Sequence, residues 1–424
     1  MYQRLPFFFG WAIVAIVFVT VAIAVTARTF YGLLVPPLIG EFGWDRGTVA
    51  GAFSFGFLLS AVLGPLTGRM MDRYGPAVVI ELGVICVGAG LVLGTWATSI
   101  WHLYATLGVL VVTGANFMSY TAQSMYLPNW FVRHRALAIA LGFSGAGLGG
   151  IALLPWLQTV IDAEGWRDAC LYLGIMTLVV LFPLNLMIRR RPEDVGLEPD
   201  GGSRSAEGAA PTNRHRIVDA EWAGTVWTVG KAMRTGRFWW CATGFFCALF
   251  VWYSAQVHQT IYLLEIGFSG AVAAQALGLV VFVAVPGQIG FGALSDRIGR
   301  EAVWGISALG FAICFATLIV MADHPTTFLL YVMVVSQGLF GYAMTSVLGP
   351  IVNEIFDGPH FASIFGLLTV ALIGGGGVGP RVTGEIFDLT GSYDLAFKLC
   401  FGLSLLSGFA IWMASPRKVR SVRR

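Results

Sequence analysis

Apolar residues run through this chain in long blocks separated by short polar breaks, from Gly10 almost to the C-terminus. A block of about 20 residues crosses a hydrocarbon core of about 30 Å as a helix. The pattern predicts such helices over Gly10–Pro36, Gly47–Met71, Pro76–Ala97, Trp101–Trp130, Arg135–Ile161 and Trp166–Ile188. A second set follows over Phe238–Leu264, Ala271–Leu294, Ala302–Ala322, Thr327–Ile355, Phe361–Phe387 and Tyr393–Met413. The expected fold class is therefore an all-α membrane protein of twelve transmembrane helices in two six-helix halves, residues 1–188 and 237–424. Between them, residues 189–236 form a polar stretch in which Gly202, Ser203, Ser205, Glu207, Gly208 and Pro211 read as a flexible cytoplasmic linker.

Composition agrees: of 424 residues, 57% are hydrophobic and 12% charged, which excludes a water-soluble domain. The cations set an orientation, because short cytoplasmic loops collect Lys and Arg. With both termini inside, Arg4, Arg69, Arg73, Arg133, Arg135, Arg189, Arg190, Arg191, Arg297, Arg300 and the tail Arg417, Lys418, Arg420, Arg423 and Arg424 all fall on the inner side. Only Arg46, Arg167 and Lys398 fall outside, so the expected location is a cell membrane, of the bacterial inner-membrane kind, with cytoplasmic termini. This distribution accounts for the net charge of +3 without a nucleic-acid partner. The first block is too long for a signal peptide and lacks a small-residue cleavage site, so it is read as a retained helix. Cys86, Cys170, Cys241, Cys247, Cys314 and Cys400 show no metal spacing and read as small core residues.

The chain repeats itself at an offset of about 224 residues. Gly68, Asp72, Arg73 and Gly75 return as Gly292, Asp296, Arg297 and Gly299; Pro155, Asp162, Gly165 and Ala169 are answered by Pro380, Asp388, Gly391 and Ala396. Two halves built on one plan point to a transporter, since a site between them can face either side in turn.

The repeated Gly-x-x-x-Asp-Arg-x-Gly loop resembles the signature of the major facilitator superfamily, and the match extends over the whole chain. Further patterns resemble the branch of monocarboxylate transporters and oxalate/formate antiporters. They are Tyr31-Gly32 with Glu41-Phe42-Gly43-Trp44; Trp130-Phe131 with Arg133-His134-Arg135-Ala136; Arg191-Pro192-Glu193-Asp194 with Pro199-Asp200-Gly201; and Gly379-Pro380, Gly384 and Phe387-Asp388 with Thr390-Gly391 and Tyr393. The resemblance implies secondary transport of small organic anions, chiefly mono- or dicarboxylates, by alternating access. It also implies conformational gating at Gly68, Asp72, Arg73 and Gly75 and at Gly292, Asp296, Arg297 and Gly299. Each Asp lies at a helix end, where it could face the positive N-terminus of a neighbouring helix. Two departures stand out: the eighth span has Gln288 and no cation where this branch often carries arginine, and Arg381 replaces the apolar residue common after Gly379-Pro380.

Arg28 and Arg381 lie deep inside apolar blocks. Guanidinium does not deprotonate in proteins, so each carries its charge into the membrane at a cost of about 3 kcal/mol or more. Arg381, with its bidentate fork, is the expected carboxylate ligand, or else the ion partner of Glu385 one turn on. A bend at Gly374–Gly377 and Pro380 could aim it into a cavity, although packing is the other use of such glycines. Arg28, beside Tyr31, either binds substrate or braces the halves. Polar stripes complete the expected substrate site: Thr113, Asn116, Tyr120 and Gln123 on the fourth span, and Tyr253, Gln256, Gln259 and Thr260 on the seventh. Such groups face either a cavity or a hydrogen-bonding helix.

For coupling to protons the candidates are Glu385 and His258, the latter off the polar arc and so also readable as structural; Glu81 reads as structural. Anion exchange and facilitated diffusion stay open. The sequence shows no nucleotide loop, metal cluster or nucleophile–base set, so neither enzymatic activity nor a cofactor is expected. The expected partners are an organic anion, lipid and protons, with a monomer as the working unit. A drug/proton antiporter and an anion receptor with a transporter fold are the alternatives.

Overall fold

The computed structural model describes residues 8–124, 126–131, 135–189, 191–198, 215–358 and 360–422. Arg4, Arg133, His134, Arg190, the Pro199–Gly201 motif, the linker residues Gly202–Pro211, Arg423 and Arg424 lie outside the described residues, as do the side chains of Arg69, Asp72 and Arg135 and the surroundings of Gly68. Apolar helices dominate, and among the described residues eleven are long and apolar enough to cross a membrane. The remaining predicted span is a 29-residue helix, α3.

In chain order the helices are α1 (Phe9–Thr29), α2 (Tyr31–Phe42), α3 (Arg46–Tyr74), α4 (Pro76–Gly94), α5 (Ile100–Leu103), α6 (Thr113–Phe117), α7 (Tyr120–Ser124), α8 (Arg135–Glu164), α9 (Trp166–Met176) and α10 (Phe182–Asn185). Two short helices follow, α11 (Ala220–Gly224) and α12 (Val229–Met233). Then come α13 (Gly236–Glu265), α14 (Gly270–Ile298), α15 (Arg300–Met321), α16 (Thr327–Val335), α17 (Leu348–Ile355), α18 (Phe361–Thr390) and α19 (Asp394–Ala414). Packing divides the chain into two units. The first is Met1–Trp44, Gly51–Ala210 and Gly270–Gly278; the second is Asp45–Ala50, Pro211–Ser269 and Leu279–Arg424.

Each unit contains very close helix pairs, of which one in each lies beside the candidate site residues. In the first, glycines of α8 meet the backbone of α1: a Cβ on Gly145 would lie 2.1 Å from the Phe18 carbonyl oxygen, and one on Gly149 2.7 Å from that of Ala22. In the second, a Cβ on Gly375 of α18 would lie 1.9 Å from the Phe246 oxygen of α13, and one on Gly379 2.4 Å from that of Phe250. Lipid tails are as apolar as Leu, so helices associate through backbone approach and polar contacts, and small residues permit both. The glycine runs of the fifth and eleventh spans are therefore packing surfaces, and α18 continues as a helix through Pro380.

Regularity is lost in the fourth and tenth spans. Residues Tyr104–Val112 are wound as π-helix, α6 stops at Phe117, and α7 restarts at Tyr120. The tenth span likewise passes through a π segment, Ser336–Phe340, into a 3-10 turn, Gly341–Ser346. Glycine is needed between α3 and α4 and between α14 and α15: Gly75 and Gly299 sit at φ 84° and 98°, a region that strains residues with a Cβ.

One departure from an all-helical chain occurs among the described residues. Strand β1 (His215–Ile217) pairs antiparallel with β2 (Arg420–Val422), joining the end of the linker to the C-terminal tail. Nearby, Trp222 Nε1 donates to the Ile355 carbonyl at 2.8 Å, and its ring lies 4.4 Å from that of Trp227.

Gly375→Val should destabilise the second unit by about 3 kcal/mol, because the new side chain meets backbone that cannot yield. Gly366→Val, where nothing lies within 4 Å, serves as the control. Thermal unfolding of the purified variants, followed by tryptophan fluorescence, checks this; equal melting would contradict it.

Candidate functional site

In the second unit the turn of α18 around Arg381 is held from behind by α13 and α19. Close approach at Gly379 brings Ser254 within 2.9 Å of Thr383 Oγ1. One turn further along α13, His258 is fully buried, with Nε2 2.7 Å from the Pro380 carbonyl oxygen and Nδ1 2.9 Å from the Tyr393 hydroxyl. His258 therefore ties three segments together. Arg381 itself points away from this buried side: its Nη2 lies 2.6 Å from Glu385 Oε1, with the two side chains 49% and 48% exposed. Arg381 thus forms the ion pair with Glu385 that its i, i+4 spacing suggested, and both members keep half their surface open.

The first turn of α3, residues 45–50, groups with this unit and docks beside the pair. Asp388 accepts from the Arg46 amide at 3.0 Å and from the Gly47 amide at 2.7 Å, satisfying two of the free donors at a helix start. The Arg46 guanidinium bonds Glu265, donates Nη1 to the Tyr393 oxygen at 3.0 Å, and stacks 3.5 Å above the Phe387 ring. Gly47 and Gly384 allow this approach; a Cβ on Gly47 would lie 2.8 Å from Glu385 Cγ.

Along the polar face of α13, Gln256 accepts from Trp252 Nε1 at 3.1 Å, and Tyr253 is buried. Gln259 is 1% exposed, and among the described residues neither its amide nitrogen nor its oxygen has a hydrogen-bond partner; the Thr260 hydroxyl is also buried without one there. A buried polar group without a partner costs about 1–3 kcal/mol, so this face carries a local cost to stability.

The first unit places Arg28 near the end of α1, three residues before the buried Tyr31, whose ring packs 5.4 Å from Phe53. The single arc expected of the fourth span does not form, because the helix is broken at Met118–Ser119. Gln123 is fully buried and spent on that break: its amide donates to the Met118 carbonyl at 3.2 Å, and its oxygen accepts from Tyr126. Asn116 and Tyr120 are partly exposed on opposite sides of the break, with Tyr120 4.9 Å from the Phe143 ring.

At the second signature loop, Asp296 takes Arg300 Nη2 at 2.6 Å, and Arg300 Nε reaches the nearly buried Glu354 of α17 at 3.3 Å. The loop aspartate is thus held by a guanidinium at the start of α15, where a helix terminus alone was expected. Arg297 is exposed, and Gly292 packs against Ser346. At the first loop Arg73 is exposed beside the Tyr74 ring. Among the described residues no group of three or more His, Cys, Asp or Glu is placed to hold a metal ion.

Sequence reasoning missed Arg46, Glu265, Asp388, Tyr393, Arg300 and Glu354 as interacting residues. The signal available was the repeat itself, which places Glu41 and Glu265 224 residues apart; each acid receives an arginine, Arg167 at 2.6 Å in one case and Arg46 in the other.

The sequence profile of the Major Facilitator Superfamily matches residues 17–300 and 261–424. Human monocarboxylate transporter 12 is 27% identical over 430 residues, covering 97% of this chain and 82% of the relative. Mouse monocarboxylate transporter 11 is 27% identical over 424 residues, covering 97% and 88%. Among solved structures, a bacterial homolog of the human lysosomal transporter Spinster, inward-facing and occupied, superposes with a TM-score of 0.67 at 18% identity, covering 95% of this chain and 96% of that one. The nucleoside transporter NupG gives 0.69 at 14% identity, covering 95% and 99%. At these identities the structural likeness bears on fold alone.

Arg300→Ala removes the guanidinium that Asp296 and the nearly buried Glu354 share and should cost about 3 kcal/mol. Glu354→Gln in the same background should recover part of that loss by removing a charge that no longer meets the Arg300 guanidinium. Thermal melts of the single and double variants test the pair, which fails if the second substitution only adds to the damage.

Proposed function

We propose, for a chain that belongs to the major facilitator superfamily and is a multi-pass membrane transporter related to the monocarboxylate transporters, that its substrate is a small organic anion of the mono- or dicarboxylate class. The observation that carries this reading is the half-exposed Arg381–Glu385 pair at 2.6 Å. A carboxylate is what a guanidinium fork binds best, and Glu385 holds the place of that ligand until it arrives. Arg28, Tyr31, Asn116 and Tyr120 in the first unit, and Tyr253, Gln256 and Gln259 in the second, are assigned to the substrate path, which leaves out Gln123 because both ends of its amide are used at the helix break. The carboxylates named in the relatives support the class and leave the particular acid open.

Coupling follows from the exchange of partners. When substrate takes Arg381, Glu385 is left as a carboxylate without its cation, and a proton neutralises it. We therefore assign Glu385 as the proton carrier of a symport by alternating access, between six-helix halves 1–188 and 237–424 joined by the 189–236 linker. The signature residues around Asp72 and Asp296 act as its gates. The excess of cations on one side supports cytoplasmic termini and a cell-membrane location; a reporter fused at Arg424 that reads as external would refute that orientation.

Proteoliposomes loaded at neutral pH and diluted into acidic buffer with radiolabelled acetate, pyruvate or oxalate provide the test. Wild-type protein should take up at least one of these anions, and Arg381→Ala and Arg28→Ala should each lower uptake by about tenfold. Surface controls such as Arg234→Ala, at an exposed position outside the gating loops, should not. Glu385→Gln should abolish stimulation by the proton gradient while leaving exchange of internal for external anion. Undiminished uptake in both arginine variants would refute the anion reading, and gradient-independent uptake driven only by internal anion would replace symport with exchange.

A further inference from the structure

The hydrogen bonds behind Arg381 run in one direction. A peptide carbonyl only accepts, so the His258 Nε2 that lies 2.7 Å from the Pro380 oxygen carries a hydrogen. In a neutral imidazole the other nitrogen then accepts, and the Tyr393 hydroxyl donates to Nδ1 across 2.9 Å. With its hydrogen committed, the Tyr393 oxygen is the acceptor for Arg46 Nη1 at 3.0 Å. Arg46 has only donors, so the order cannot start anywhere else. The line is Arg46 to Tyr393 to His258 to the Pro380 carbonyl, with one donor at each link and its two middle members buried.

What stands at the end of this line is the peptide unit on which Arg381 is built. The peptide group is planar, so holding the Pro380 oxygen also holds the Arg381 nitrogen and the direction in which its side chain departs. That turn needs holding, because Pro380 has no N–H to give the preceding turn of α18 and loosens the helix there. The start of the line is anchored as firmly: Glu265 and Phe387 fix the Arg46 guanidinium, and Asp388 fixes its backbone.

We propose that His258 and Tyr393 are positioning residues for Arg381, oriented by Arg46, and that the aim of the Arg381 guanidinium depends on this directed relay. The proposal rests on the reading of Arg381 as the carboxylate ligand. His258 is then needed for its Nε2 hydrogen and its Nδ1 lone pair, and any proton carried with substrate travels on another group.

Arginine modification by phenylglyoxal, read peptide by peptide by mass spectrometry on the purified full chain, tests the relay without any substrate. Arg73, exposed in the other unit, is the internal reference. His258→Gln retains an N–H near the position of Nε2 and should leave the rate at Arg381 close to wild type. His258→Leu and Tyr393→Phe should change that rate by about tenfold relative to Arg73, as misaligned second-layer groups do elsewhere. Wild-type rates in both variants, with only a lowered melting temperature, would reduce the two residues to packing and overturn the proposal. If His258→Leu does not fold, Tyr393→Phe decides alone, since it removes a single oxygen. The ligand reading is scored separately: acetate, pyruvate or oxalate should protect Arg381 in the wild type. Loss of protection with the rate changes intact would sink the carboxylate assignment and leave the relay standing. Nitrogen-15 spectra of labelled histidine should show the His258 signal as the neutral Nε2–H tautomer; an Nδ1–H tautomer would reverse the line and refute it.

Discussion

A carbonyl oxygen resting on a bare glycine is the contact from which the second unit is organised. The Phe246 and Phe250 oxygens of α13 sit where side chains at Gly375 and Gly379 of α18 would be. At that separation short polar groups reach across, so Ser254 meets Thr383 and His258 meets the Pro380 carbonyl. A wider spacing would leave these groups facing one another across a gap, each bearing the cost of burial without a partner. The first unit repeats the device with Phe18 and Ala22 against Gly145 and Gly149. The two units share a scaffold and differ in what they mount on it.

That difference is concentrated at matching positions. Glu41 and Glu265 stand one repeat apart, yet Glu41 is met by Trp166 and Arg167 of its own half of the repeat, at 2.7 and 2.6 Å, while Glu265 meets Arg46 of the other half, 219 residues away. At the next helix start, Gly270 lies close to Gln158 and Asp162 where Arg46 and Gly47 lie against Asp388. One version of the contact thus has a glycine where the other has the Arg46 cation, and its aspartate is met by Gln158. Duplication supplies the geometry, and single substitutions decide whether it holds charge.

Much of this was legible in the sequence, for reasons that also mark its limits. Helix length and apolarity are local properties, so the spans could be read directly, and glycines in runs announced close packing. The i, i+4 spacing of Arg381 and Glu385 was enough to foresee their pairing. Tertiary bonds are different. Nothing local to Arg46 points to Asp388, 342 residues away, and His258 gave no hint that its partners would be a proline carbonyl and a tyrosine. The polar stripe of the fourth span failed as a stripe because constant rotation per residue was assumed from Thr113 to Gln123, through a segment broken at Met118–Ser119, leaving Gln123 to satisfy the break.

The two-stranded ribbon between His215–Ile217 and Arg420–Val422 carries a topological meaning. It makes the large second unit enter and leave through adjacent strands, so its ends are neighbours, as in domains that tolerate excision or circular permutation. Two short exchanged segments qualify that autonomy, 45–50 grouping with the second unit and 270–278 with the first. A half cut free at the ribbon would keep α13 to α19, yet Asp388 would lose the two amides it holds. The same half would then be complete as a scaffold and unfinished as a machine.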